Sequence, residues 1–141
     1  MLGNRACGMS RTQLGDERKS GAYELVNALT ADGIVVDTAF WTFVEQLDEW
    51  RLIIISPDVP RVGSRDILMR IDKKLMASNG SASFSLFDLT VHSSDDPHVI
   101  EWLDNVGILT AGITYRNTRF NNLVVSEVFP VFSRNWMLGG N

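Results

Sequence analysis

The spacing of apolar residues predicts three helices, each bounded by residues that start or stop a helix. The predicted ranges are Gly21 to Ala31, Ser64 to about Ser78, and Pro97 to about Val106. N-terminal caps are supplied by Ser20, Ser64 and Asp96, and stops by Gly33, Asn79-Gly80 and Gly107. The second helix has the clearest pattern, because one apolar stripe is formed by Ile67, Leu68, Ile71 and Leu75.

Stretches rich in β-branched and aromatic residues predict five strands, four of them in two hairpins. The predicted ranges are Ala39 to Glu45, Trp50 to Ser56, Phe84 to Val91, Ile113 to Phe120 and Leu123 to Phe132. The first pair is ambiguous, since Phe40, Val44 and Leu47 also have helical spacing. A hairpin is favoured because no glycine or proline ends a helix before the apolar run from Trp50 to Ile55.

The resulting order, αββαβαββ, predicts an α+β fold. We expect a mostly antiparallel five-stranded sheet with three helices packed on it, in a single domain over residues 21–135. Residues 1–20 show little periodicity and are expected to form a tail, and residues 136–141 a frayed end. Pro130 has no N–H to donate to a neighbouring strand, so the last strand is expected at a sheet edge or with a bulge.

Composition places the chain among ordinary globular proteins. It has 141 residues, of which 45% are hydrophobic and 21% charged, and a formal net charge of −4. The one cysteine, Cys7, cannot form an internal disulfide bond, which favours a reducing, cytoplasmic location. No apolar run approaches the length of about 20 residues that a membrane-spanning helix needs, so no membrane association is expected.

Both histidines lie in one short stretch between the third predicted strand and the third predicted helix. His92, Asp95, Asp96 and His98 combine imidazole and carboxylate groups, which can hold a divalent metal that activates water for hydrolysis. A structural interpretation competes, because Ser94 and the two aspartates precede a proline as the start of a helix requires. The stretch therefore predicts a helix start with no cofactor or, alternatively, a small metal-dependent hydrolase.

Basic residues gather on the second predicted helix. Arg65, Arg70, Lys73 and Lys74 lie mostly outside its apolar stripe, and such a face can contact nucleic-acid phosphates. The net charge of −4 opposes this function, and a solvated helix surface accounts for the same residues. Nucleic-acid binding is therefore kept as an alternative.

The last predicted strand carries the strongest signal for an interaction. Its apolar residues include Val124, Val128 and Phe132, and an uncovered apolar edge favours pairing with another chain. Alternatively, the strand faces an ordinary core, and Glu127 and Pro130 protect its edge. Because no nucleophile motif accompanies these features, the sequence favours a non-enzymatic protein-interaction or regulatory module that forms a homodimer through this strand.

Overall fold

A computed structural model describes residues 13–77, 84–106, 115–120 and 123–134. The helices are α1 (Asp16–Ala31), α2 (Val59–Val62), α3 (Ser64–Ala77) and α4 (Pro97–Val106). The strands are β1 (Thr38–Val44), β2 (Glu49–Ser56), β3 (Leu89–Ser93), β4 (Tyr115–Phe120) and β5 (Leu123–Ser133). The α+β class is confirmed. None of the described helices has the length and apolar character needed to cross a membrane.

The five strands form one mixed sheet in the order β3-β2-β1-β5-β4. β1 pairs antiparallel with β2 and with β5, and β4 pairs antiparallel with β5. β2 and β3 are parallel, because the chain returns through α2 and α3 before it enters β3. The sheet therefore differs from the expected arrangement by this parallel pair, and the short α2 adds a helix to the three that were predicted.

The ambiguous stretch after residue 37 is a hairpin, as the sequence analysis favoured. β1 and β2 pair in continuous register from Thr38 opposite Ile55 to Val44 opposite Glu49. Residues 45–48 form the turn, in which Asp48 has a positive φ of 54°. An aspartate tolerates this left-handed conformation better than most residues, which suits the turn.

The predicted strand from Phe84 to Val91 is wrong in its first half. Residues Leu86–Asp88 form a 3₁₀ turn, and β3 begins only at Leu89. Ser85 Oγ accepts a hydrogen bond from Phe87 N at 3.3 Å, and Asp88 Oδ2 accepts one from Ser85 N at 3.0 Å. This reciprocal cap holds the backbone in a turn and keeps it out of the sheet.

The first helix begins at Asp16 and not at Gly21, so part of the predicted tail belongs to the fold. Asp16 and Glu17 lie in its first turn, where negative charge complements the helix dipole. The Arg18 carbonyl accepts a hydrogen bond from Trp41 Nε1 at 3.2 Å. The rest of the predicted tail up to residue 12, and the predicted frayed end, lie outside the described residues.

The core has two parts, one on each face of the sheet. On one face α1 and α3 cover β1 and β2 with the buried residues Leu25, Leu29, Ile67, Ile71, Trp41, Leu52 and Ile54. On the other face, buried residues outside that cluster include Phe40, Ile53, Ile55 and Val128. Val99 of α4 is also fully buried and outside the cluster, so α4 contributes to this second layer.

The prediction that the last strand is an uncovered edge is wrong. β5 lies between β1 and β4, and the edge strands are β3 and β4. Of the three residues expected at an interface, Val128 is fully buried, Phe132 packs against the core, and Val124 pairs with Arg119 of β4. The predicted bulge is present, since Val131 is an extra residue between the positions that pair with Ala39 and Phe40.

Truncation of a buried and of an exposed side chain of α3 should change the free energy of unfolding by different amounts. Ile71→Ala should lower the free energy of unfolding by about 2–5 kcal/mol, because Ile71 is fully buried and its removal leaves a cavity. Met76→Ala on the same helix is the control, with an expected change within about 0.5 kcal/mol, because Met76 is 69% exposed. Urea unfolding of both variants tests this, and equal losses would contradict the burial assigned to α3.

Candidate functional site

The predicted metal-binding stretch lies where the parallel strands β2 and β3 end side by side. Ser56 pairs with Ser93 at these ends, and Ser94 N donates a hydrogen bond to Ser56 O at 3.1 Å. Ligand sites often form at the carboxyl ends of parallel strands, so the position itself is favourable for a site. The role of each polar side chain therefore decides between the two interpretations.

Asp96 caps the N-terminus of α4. Its Oδ1 accepts a hydrogen bond from His98 N at 2.9 Å, and its carbonyl accepts one from Ile100 N at 3.0 Å. Asp95 accepts a hydrogen bond from the Ser93 hydroxyl. These bonds engage both aspartates in the turn that leads into the helix, as the structural interpretation predicts.

His92 lies on the sheet face that α4 shares, beside Ile55, and is half-buried. Its Nε2 lies 3.1 Å from Thr90 Oγ1. Burial lowers the pKa of His92 below its ordinary value, and the negative charge of Asp96 partly opposes this. His98 is exposed on α4. Across the described ranges, no three His, Cys, Asp or Glu side chains are grouped so that they could hold a metal ion.

Asp37 links three elements at this end of the sheet. Its Oδ2 accepts a hydrogen bond from the Ser94 hydroxyl, which ties the turn before α4 to the start of β1. Arg134 Nη2 lies 2.5 Å from Asp37 Oδ1 as an ion pair, although the angles do not suit a hydrogen bond. Arg134 N also donates to the Asp37 carbonyl at 2.7 Å, so this cluster fastens the end of β5.

Asp58 performs a similar structural task at the end of β2. Its Oδ2 accepts a hydrogen bond from Val35 N at 2.8 Å, and its Oδ1 lies 3.1 Å from Arg61 Nη2. The bond from Val35 and the charge of Arg61 lower the pKa of Asp58, against the opposing effect of burial. Ser56 Oγ donates to the Val35 carbonyl and accepts from Asp58 N, which completes the local network.

Two of the four basic residues predicted on α3, Arg70 and Lys74, are paired with acidic neighbours. Arg70 lies 3.3 Å from Asp66 and 3.4 Å from Asp32, and Lys74 lies 3.7 Å from the same oxygen of Asp32. A surface depression of about 460 Å³ beside α3 is lined by both signs of charge: Asp32, Asp66, Met69, Arg70, Lys73 and Lys74. The mixed lining weakens the electrostatic case for phosphate binding.

One side of α3 points away from the core and is here called the α3 outer face. It comprises Arg65, Asp66, Met69, Asp72 and Lys73. Met69 is 57% exposed and lies opposite the buried stripe that contains Ile67 and Ile71. Within the described part of the chain, no ion pair engages Arg65, Asp72 or Lys73.

Further exposed apolar side chains lie near the C-terminal end of α3. Met76 is 69% exposed, and Phe87, in the 3₁₀ turn that contacts α3, is 87% exposed. Sequence reasoning found the cations of this helix but not Met69, Asp66 or Asp72. The available signal was the placement of a methionine opposite the apolar stripe, with charges of both signs on either side of it.

Comparisons with protein-family models, curated proteins and solved structures gave no match to this chain.

A pH titration of stability tests the environment of His92. Because its pKa is lowered in the folded state, the unfolded chain takes up a proton first, and stability should fall as the pH drops below about 6.5. His92→Gln should remove this part of the loss between about pH 7.5 and pH 5.5, measured by urea unfolding. His98→Gln removes an exposed histidine as the control and should keep the loss. Equal slopes for His92→Gln and the wild type would contradict the buried placement.

The Asp58 network predicts a second stability effect. Asp58→Ala should lower the free energy of unfolding by about 1–3 kcal/mol, because Val35 N loses its acceptor and Arg61 its partner. Glu24→Ala, on the exposed side of α1, should change it by no more than about 0.5 kcal/mol. Thermal or urea unfolding measures both, and a neutral Asp58→Ala would show that the network does not stabilise the fold.

Proposed function

We propose that this chain is a protein-interaction module and that its contact surface is the α3 outer face. The observation that supports the proposal is the exposure of Met69 between charged residues of both signs. Methionine is flexible and polarisable, and exposed methionines are common at surfaces that bind other proteins. The proposal keeps the class of function that the sequence favoured and moves its surface from β5 to α3.

The charges of this face favour a protein partner over a nucleic acid. Arg65 and Lys73 carry two positive charges, and Asp66 and Asp72 balance them with two negative charges. A polyanion meets no net attraction on such a face, whereas a protein surface with apolar and mixed charged residues matches it. The depression beside Met69 adds a concave region in which side chains of a partner can lie.

Binding of a partner by addition of its strand to the sheet is less favourable than binding to α3. β5 is paired on both sides along the part that faces β4, and the two edge strands β3 and β4 are short, with five and six residues. The alternative hydrolase activity has no group of ligands among the described residues, because the aspartates near His92 serve the start of α4. Among the surfaces that the described residues form, we therefore favour the α3 outer face as the contact surface.

Photo-crosslinking in cells that express the chain tests the proposed surface. A photoreactive amino acid in place of Met69 should give a crosslinked product of one defined mass, because the partner lies against this position. The matched control places the same amino acid at Leu47, which is 50% exposed in the β1–β2 turn and lies outside the proposed surface. The absence of any product from position 69, or the same products from both positions, would refute the proposal.

A further inference from the structure

The charged residues of the α3 outer face are arranged symmetrically about Met69. Asp66 and Asp72 lie three residues before and after it, and Arg65 and Lys73 lie four residues before and after it. At 3.6 residues per turn, Arg65 and Asp72 lie on one side of Met69, and Asp66 and Lys73 lie on the other. Each side of the face therefore carries one positive and one negative charge.

This arrangement is complementary to an antiparallel copy of itself. A two-fold axis that passes beside Met69, perpendicular to the two helices, places each side of one α3 next to the same side of the other. Arg65 then lies within one residue's rise, about 1.5 Å along the helix, of the level of Asp72 in the second copy. Lys73 lies level with Asp66 of the second copy in the same way, and Asp66 is also contacted by Arg70 of its own helix. Four intermolecular ion pairs, two of them shared with Arg70, therefore surround a central contact between the two Met69 side chains.

From this match, and resting on the proposed function, we infer that the partner of the α3 outer face is a second copy of this chain. The two α3 helices pack antiparallel, and residue 65 of each copy faces residue 72 of the other. The antiparallel orientation is favoured over a parallel one because the helix dipoles then oppose one another. A parallel pairing about Met69 brings Arg65 level with Asp66 and Asp72 level with Lys73 of the second copy, so an exchange of the charges at residues 65 and 72 weakens a parallel pair and is tolerated by an antiparallel one. A contact centred on one helix pair is small, which predicts a reversible dimer whose population depends on protein concentration.

Charge reversal tests the Arg65–Asp72 contact directly. Asp72→Lys places two positive charges together at each end of the interface, and Arg65→Asp places two negative charges together there. Residues 65 and 72 are seven positions apart, so they do not pair within one helix. Each single variant should therefore lower the association constant by about tenfold through the interface alone.

Two combinations should restore association. The double variant R65D/D72K exchanges the charges within each chain and recreates both intermolecular pairs. An equimolar mixture of the two single variants recreates the same pairs between unlike chains, so it should associate more strongly than either variant alone. Circular dichroism of each variant checks that α3 stays folded, and L47Q, a change to an exposed residue of the β1–β2 turn, should leave association unchanged.

Sedimentation velocity over a range of micromolar concentrations measures these equilibria in the full chain. A rise of the wild-type sedimentation coefficient with concentration, its loss in both single variants and its recovery in the mixture would support the inference. A wild type that stays monomeric throughout, or a mixture without recovery, would overturn it. A crosslinked product from position 69 of a mass other than two chains would overturn self-pairing and leave the interaction function standing, whereas no product and no association would refute both.

Discussion

The burial of β1 on both faces of the sheet is the constraint on which the rest of the structure depends. All of its residues are buried, and it pairs with β2 on one side and with β5 on the other. Trp41 faces the layer of α1 and α3, and Phe40 faces the opposite side. A strand with two apolar faces needs a cover on each of them, which explains why helices lie on both sides of the sheet.

Aspartates at one end of the sheet stabilise this arrangement, and one of them, Asp96, was a candidate metal ligand in the sequence. Asp37 and Asp58 accept hydrogen bonds that join segments distant in sequence at the strand ends, and Asp96 caps the start of α4. Buried carboxylates require such partners, because a charge removed from water without compensation is costly. The concentration of aspartates and serines at this end of the sheet therefore follows from the topology, which brings several strand ends and helix starts to the same place.

The α3 outer face is left over from these demands and is therefore open to binding. Ile67, Ile71 and Leu75 lie in the core. Arg70 and Lys74 both pair with Asp32, just after the end of α1, and Arg70 also pairs with Asp66. Neither role involves Met69, which is exposed where a charged residue would keep the surface more soluble. An apolar residue at the centre of alternating charges is a small surface feature, with the apolar centre and polar rim that protein contacts share.

Most of the local structure could be predicted from the sequence alone. Helical spacing and capping residues located α3 and α4, and the missing helix stop before Trp50 correctly favoured the β1–β2 hairpin. The start of α1 and the turn at Leu86–Asp88 were wrong, because contacts with Trp41 and a local cap of Ser85 and Asp88 outweighed the expected patterns.

The positions of the edge strands and of the exposed surfaces could not be predicted from the sequence, because they depend on the tertiary fold. Strand order depends on contacts between residues far apart in sequence. The apolar pattern of a run such as Val124 to Phe132 is therefore compatible with both a central strand and an edge strand. The cations of α3 were visible in the sequence, but their pairing with Asp32 of another helix was not. Met69 and the charges around it form a candidate site because the fold places this side of α3 in solvent.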